Sequence, residues 1–177
     1  MPAEVSRPFT LSGSGELFAN AACAYLGTPF VNHAKVAQCG SRYKTYPDCM
    51  QIGLTTRGFD CSGLVHAALS DVTHRPMDWV YDTRHVAQIV KSCKTYPVEE
   101  LTELPIGTLL VYDHVEPNIR VRDVHVAVWL GNNQVVHARR STLGARVGKD
   151  DVRTPWASKK LAGVIDPYKL LEKTRVP

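Results

Sequence analysis

Three side chains in this 177-residue chain have types and spacing suited to covalent catalysis. Cys61 sits in RGFDCSGLVHAAL, between an acid, a serine and a glycine, at the mouth of a short apolar helical pattern. His125 and His137 follow, twelve residues apart, in VHVAVWLGNNQVVHAR. A protonated thiol is a poor nucleophile, but the unpaired N–H groups of a helix N-terminus and a neighbouring imidazolium stabilise the thiolate. His125 would take the thiol proton and later return it to a leaving amine. His137 would hold the first ring in its productive tautomer. The backbone N–H of Cys61 would donate to the developing oxyanion. Gly63 lets the helix approach a sheet closely. The competing reading is a buried, inert cysteine, the commoner fate of this residue type, with strand histidines that are structural or merely exposed.

Such a site needs elements that carry the sulfur to the rings. SGELFANAACAYLGTPF reads as a helix with Ser14 as N-cap, an apolar stripe through Leu17, Ala21, Ala24 and Tyr25, and Gly27 and Pro29 as its stop. CSGLVHAALSDV is a second helix, striped by Leu64, Val65, Ala68 and Leu69, and DTRHVAQIVKSC a third. The period then changes to two. GTLLVYD, VHVAVWL and QVVHAR read as strands, and a fourth lies in ARVGK or LAGVIDP. Helices followed by an antiparallel sheet define an α+β class, with N-terminal helices packed on a central sheet.

The turn between the histidine strands decides whether the site exists. A two-residue loop, Asn132–Asn133, sets Val128 opposite His137 and puts the histidines on opposite faces. A three-residue loop, Gly131 to Asn133, sets Ala127 opposite His137, so that His125 and His137 become diagonal neighbours about 7–8 Å apart at the backbone. The three-residue register is the one adopted here. Alternation along each strand also places Arg139 on the face of His137, where it is a candidate substrate contact, and projects Trp129 from the face of His125.

Composition narrows the classes. The length suits one domain, residues 1–177, with a long inserted loop at about 31–58. A net charge of +4 and a pI near 8.8 are mildly basic. They favour anionic surroundings such as wall polymer and lack the dense Lys/Arg stripes of a nucleic-acid binder. No membrane span is expected, and no apolar run of signal-peptide length is visible. The chain therefore acts where it is made, leaves by a route the sequence does not show, or has lost a leader. Of the five cysteines, Cys39 and Cys49 either pair across a loop or stay reduced, and their spacing matches no zinc pattern. Cys23 and Cys93 read as helix-face core residues. His33, His66, His74, His85 and His114 lack partners by spacing, with His114 an outside candidate. Trp79 and Trp156 are assigned to packing.

GFDCSGLV, LPIGTLLVYD and HVAVWLGNNQVVHA together resemble the NlpC-type cysteine peptidases, a papain-like group that cleaves bacterial cell-wall peptides. The resemblance runs from about Ala21 to Pro167. It implies a papain-like fold, with Cys61 as nucleophile, His125 as base and His137 as third member. It implies hydrolysis of the peptidoglycan stem peptide between γ-D-glutamyl and a diamino acid, at the cell wall in the periplasm or outside the cell. It implies that Asp60 and Ser62 help bind the peptide, and that neither a metal nor an organic cofactor takes part. The sequence departs from the family at TPFVNHAKVAQCG, where Phe30 replaces a tyrosine near the oxyanion. Tyr43 or Tyr46 is an alternative source of that phenol, and Lys35, Arg42, Lys44 and Arg57 give the loop a basic rim. Two other functions use the same residues: an amidase or acyl transferase on another amide, and a non-catalytic wall-binding module. If the chain is an effector injected into rival bacteria, an immunity or inhibitor protein is an expected partner.

Overall fold

The computed structural model describes residues 9–30, 60–74, 98–114, 123–139, 145–153 and 160–172. Helix α1 (Gly15–Cys23) starts at Ser14, whose hydroxyl accepts from the Leu17 N–H at 3.3 Å and so satisfies one of the orphan donors of the first turn. Its buried side is Phe18, Ala19 and Ala22. The expected stripe is therefore rotated: Leu17 is 60% exposed and Ala24 is the exposed C-cap. Phe18 carries the largest apolar area in the turn, so its burial sets the rotation at the expense of Leu17.

Helix α2 (Cys61–Thr73) is capped by Asp60 and closed by His74, which adopts the left-handed conformation at φ 52°. Residues 61 to 69 are all buried, so the stripe of Leu64, Val65, Ala68 and Leu69 belongs to a segment covered on all sides, and only the last turn, with exposed Asp71, reaches the surface. The Tyr25 hydroxyl donates to Asp71 Oδ2 at 2.8 Å and ties the end of α1 to α2. Burial and that carboxylate push the phenol up to about 12.

A 3-10 turn (Val98–Glu103) leads into five strands: β1 (Leu109–His114), β2 (Asp123–Gly131), β3 (Gln134–Arg139), β4 (Arg146–Asp151) and β5 (Lys160–Ile165). Both candidates for the fourth strand, ARVGK and LAGVIDP, are therefore strands. The sheet is antiparallel in the order β4-β3-β2-β1-β5: β1 to β4 form a meander, and β5 returns to the far edge beside β1. A short helix α3 (Lys169–Glu172) follows. The third expected helix at 82–93, the loop at 31–58, and Cys39, Cys49 and Cys93 lie outside the described residues.

Apolar side chains cover both faces of the sheet. Val126, Val128, Val136 and Ala138 form one cluster with Phe18 of α1 and Leu64, Leu69 and Cys61 of α2. Leu110, Tyr112, Ala127, Trp129 and Val135 form another with Leu101, Leu104 and Val152. Trp129 is 1% exposed and packs in this second core. Asp166 closes the fold. Its carboxylate accepts from the Ser12 N–H at 2.8 Å, the Ser12 hydroxyl at 2.5 Å and the Tyr168 N–H at 3.0 Å, so the segment before α1 is clamped to the end of β5.

The β2–β3 turn combines features of both registers weighed from the sequence. Gly131 pairs with Gln134, as in a two-residue loop, and Asn132 and Asn133 both take positive φ, 48° and 59°, the signature of a type I′ turn. The ladder then shifts between Trp129 and Gly131, giving Trp129↔Val135 and Val128↔Val136. A bulge thus absorbs one residue, and below it the strands run in the register expected of the longer loop. Gly131, at φ 80°, supplies the conformation that the bulge requires and an L side chain resists.

Candidate active site

Cys61 is the first residue of α2 and is 8% exposed. The mouth of its helix is built by its neighbours. Asp60 Oδ1 accepts from the Gly63 N–H at 2.7 Å and from the Ser62 hydroxyl at 2.9 Å, and the Asp60 carbonyl accepts from the Leu64 N–H at 3.1 Å. Asp60 and Ser62, 7% and 1% exposed, therefore act first on the helix itself: they hold the turn that displays Cys61. Gly63 gives its N–H to this cap, a second use for a residue valued in the sequence for its small size.

The structure brings the two histidines together. Tyr112 faces His125 across β1 and β2, and the shifted register places His137 on the same pleat as Val135 and Trp129. His125 Nε2 and His137 Nδ1 are 2.6 Å apart, with ring centroids at 4.9 Å and planes at 73°. That contact is a hydrogen bond with one proton between two nitrogens. His137 is 1% exposed. The body of α2 packs on the alternate pleat, that of Val126 and Val128, and Cys61 belongs to the same helix-side cluster.

Arg139 is engaged inside the molecule. Its Nη2 donates to Asp150 Oδ1 at 2.9 Å. Its Nε lies 2.5 Å from Oδ2 without the alignment of a hydrogen bond. His137 Nε2 lies 2.8 Å from the same Oδ2. Asp150 was not singled out in the sequence. Register explains its arrival: β3 and β4 pair His137 with Gly148 and Val135 with Asp150, which sets Asp150 diagonally beside His137 on one face. Gly148 leaves room for the Arg139 side chain, whose Nε and Nη2 lie 3.6 Å from where a β-carbon at Gly148 would sit. The usable signal was the alternation in RVGKDD, but it has meaning only once β4 is known to neighbour β3. Burial pushes the Asp150 carboxyl above its ordinary value of 3.8, and the Arg139 guanidinium opposes that rise.

The other candidates separate cleanly. His66 is buried within α2, and His74 is its C-cap. His114 ends β1. His33, His85, Tyr43, Tyr46, Trp79, Trp156 and the basic rim of the loop lie outside the described residues. Phe30 packs against the helix-side cluster, and its N–H donates to the Ala145 carbonyl at 2.8 Å. Cys23 is half-buried at the end of α1 against the same cluster, and burial raises its thiol. Among the described residues no three His, Cys, Asp or Glu side chains gather around a point that could hold a metal ion. The imidazole nitrogens face each other instead.

A helix that carries a cysteine at its first turn, packed on an antiparallel sheet that displays paired imidazoles, has the architecture of a papain-like domain. The chain belongs to the NlpC/P60 family, whose model matches residues 51–166, and members of that family are typically cysteine peptidases that act on the cell wall. Solved structures agree on the fold. NlpC1 of Trichomonas vaginalis is 19% identical with a TM-score of 0.54, over 90% of this chain and 47% of that one. An NlpC/P60 family protein of Bacillus cereus is 20% identical with a TM-score of 0.53, over 86% and 39%. A lipoprotein-like member of the family from Staphylococcus aureus is 20% identical with a TM-score of 0.52, over 91% and 43%. The chain thus spans less than half the length of each of these proteins. No curated protein matches it.

Proposed function

We propose that the chain is a cysteine peptidase that hydrolyses peptidoglycan stem peptides at the γ-D-glutamyl–diamino acid bond, acting on the cell wall. The observation that carries this reading is the 2.6 Å contact between His125 and His137, in a chain whose one helix-mouth cysteine, among the described residues, is Cys61. A ring bound to a second, buried ring has a set orientation, which a general base needs and an incidental strand histidine does not.

In this mechanism His125 removes the Cys61 proton, and the thiolate attacks the scissile carbonyl. The N–H groups of the helix mouth stabilise the oxyanion. As the tetrahedral intermediate collapses, His125 gives its proton to the diamino-acid nitrogen, the C–N bond breaks, and the glutamyl carbonyl stays on sulfur as a thioester. Water then enters, loses a proton to His125, and releases the carboxylate and the thiol.

Purified sacculi incubated with the wild type should gain free amino groups on the diamino acid. Cys61→Ala should release none, and His125→Ala should be slower by about 10²–10⁴-fold. Equal release by wild type and Cys61→Ala would remove the assignment. Products in which the glutamyl carbonyl is joined to a new amine would make the enzyme a transferase.

A further inference from the structure

The hydrogen-bonded chain does not stop at His137. It continues to Asp150 and from there to Arg139, and with Asp150 ionised and both rings neutral the donor and acceptor capacities along it leave one consistent arrangement. An ionised carboxylate only accepts, so the 2.8 Å contact from His137 Nε2 to Asp150 Oδ2 needs its proton on Nε2. A neutral His137 then has its lone pair on Nδ1. The 2.6 Å contact must therefore be donated by His125 Nε2–H. A neutral His125 with its proton on Nε2 keeps its lone pair on Nδ1, the one ring nitrogen outside the chain. The reverse order would bring the lone pair of His137 Nε2 against a carboxylate oxygen.

We propose that Asp150, held by Arg139, is a positioning residue that fixes both imidazoles as Nε2–H tautomers and so reserves Nδ1 of His125 for the thiol proton. The placement is specific to this sheet. Asp150 reaches His137 only because β4 lies beside β3 in the register Val135↔Asp150. Its second oxygen is occupied by Arg139 Nη2 at 2.9 Å, which restricts rotation of the carboxylate away from the ring. When His125 takes up a proton, the imidazolium is linked through His137 to a fixed negative charge. This role rests on the peptidase reading for its purpose, but the tautomers it dictates exist without any substrate.

The test separates the two. Long-range ¹H–¹⁵N correlation spectra of the labelled full chain near neutral pH report which nitrogen of each ring carries the proton. The wild type should show Nε2–H on both His125 and His137. Asp150→Ala should show mixed tautomers at His137 and digest sacculi about 10–100-fold more slowly, a smaller loss than removing the direct orienter of a base. Asp150→Asn keeps an acceptor oxygen and should recover part of both signals. A wild-type His137 protonated on Nδ1, or Asp150→Ala spectra and digestion rates equal to wild type, would overturn the proposal. Should Asp150→Ala not fold, the wild-type spectrum and Asp150→Asn decide alone. Correct tautomers in a protein that leaves sacculi intact would sink the peptidase reading and keep this one.

Discussion

The most informative residue is one with no obvious motif around it. Asp150 is displaced by two opposing effects: partial burial raises its carboxyl, and Arg139 pulls it back. Because the folded value lies above the ordinary one, the stability that Asp150 contributes is complete below about 3.8 and declines as pH rises through the raised value. At working pH the fold therefore carries an ionised group at a cost, which fits an acceptor kept for its charge. The groups facing it are His137 and Arg139 from β3; on its own strand, Asp151 is bound by Arg153. Removing Arg139 takes away the positive charge that lowers Asp150. Arg139→Met should thus move the acid limb of the pH–rate profile for sacculus digestion to higher pH, since a protonated Asp150 would donate to His137 and reverse the tautomers. An acid limb at the wild-type position would show that Arg139 does not hold this carboxylate ionised.

The decisive element is the β2–β3 hairpin, because a slip of one residue moves His137 to the opposite face. Three consecutive residues with positive φ, Gly131, Asn132 and Asn133, close the turn and place the bulge. A β-branched side chain tolerates that region poorly. Asn133→Val should destabilise the protein by about 1–2 kcal/mol in denaturant titration and lose activity through the disturbed histidine pair. Asn133→Gly, free of the steric cost, should retain both. The sequence reading chose the right facing for the histidines but reached it by a longer loop. The alternation in each strand was legible in six or seven residues. The bulge was not, because Gly131 suits either loop and only the joint burial of Val128 with Val136 on one face and of Trp129 with Val135 on the other discriminates between them. α1 shows the same limit, since its cap was readable at Ser14 while its rotation depended on where Phe18 could be buried.

At the scale of the molecule, two apolar clusters share one sheet, so neither can be lost without exposing the back of the other. Leu69 on the helix side and Leu110 on the opposite side are both 0% exposed. Each truncated to Ala should cost about 2–5 kcal/mol. Both should shift a single unfolding transition, followed alike by fluorescence and circular dichroism. Separate transitions in either variant would show that the clusters are independent units.

What the sequence determined by itself is local: a cysteine set among an acid, a serine and a glycine at a helix mouth, and two histidines on strands whose apolar residues alternate. Those features depend on neighbours within a turn or a pleat, and they are written in periodicity. Tertiary structure alone decided that β4 lies against β3, that a bulge corrects the hairpin register, and that Asp150 and Arg139 extend the histidine pair. Each of these depends on which strand pairs with which and by what offset. That choice is made by burying side chains far apart along the chain, and no local pattern encodes it.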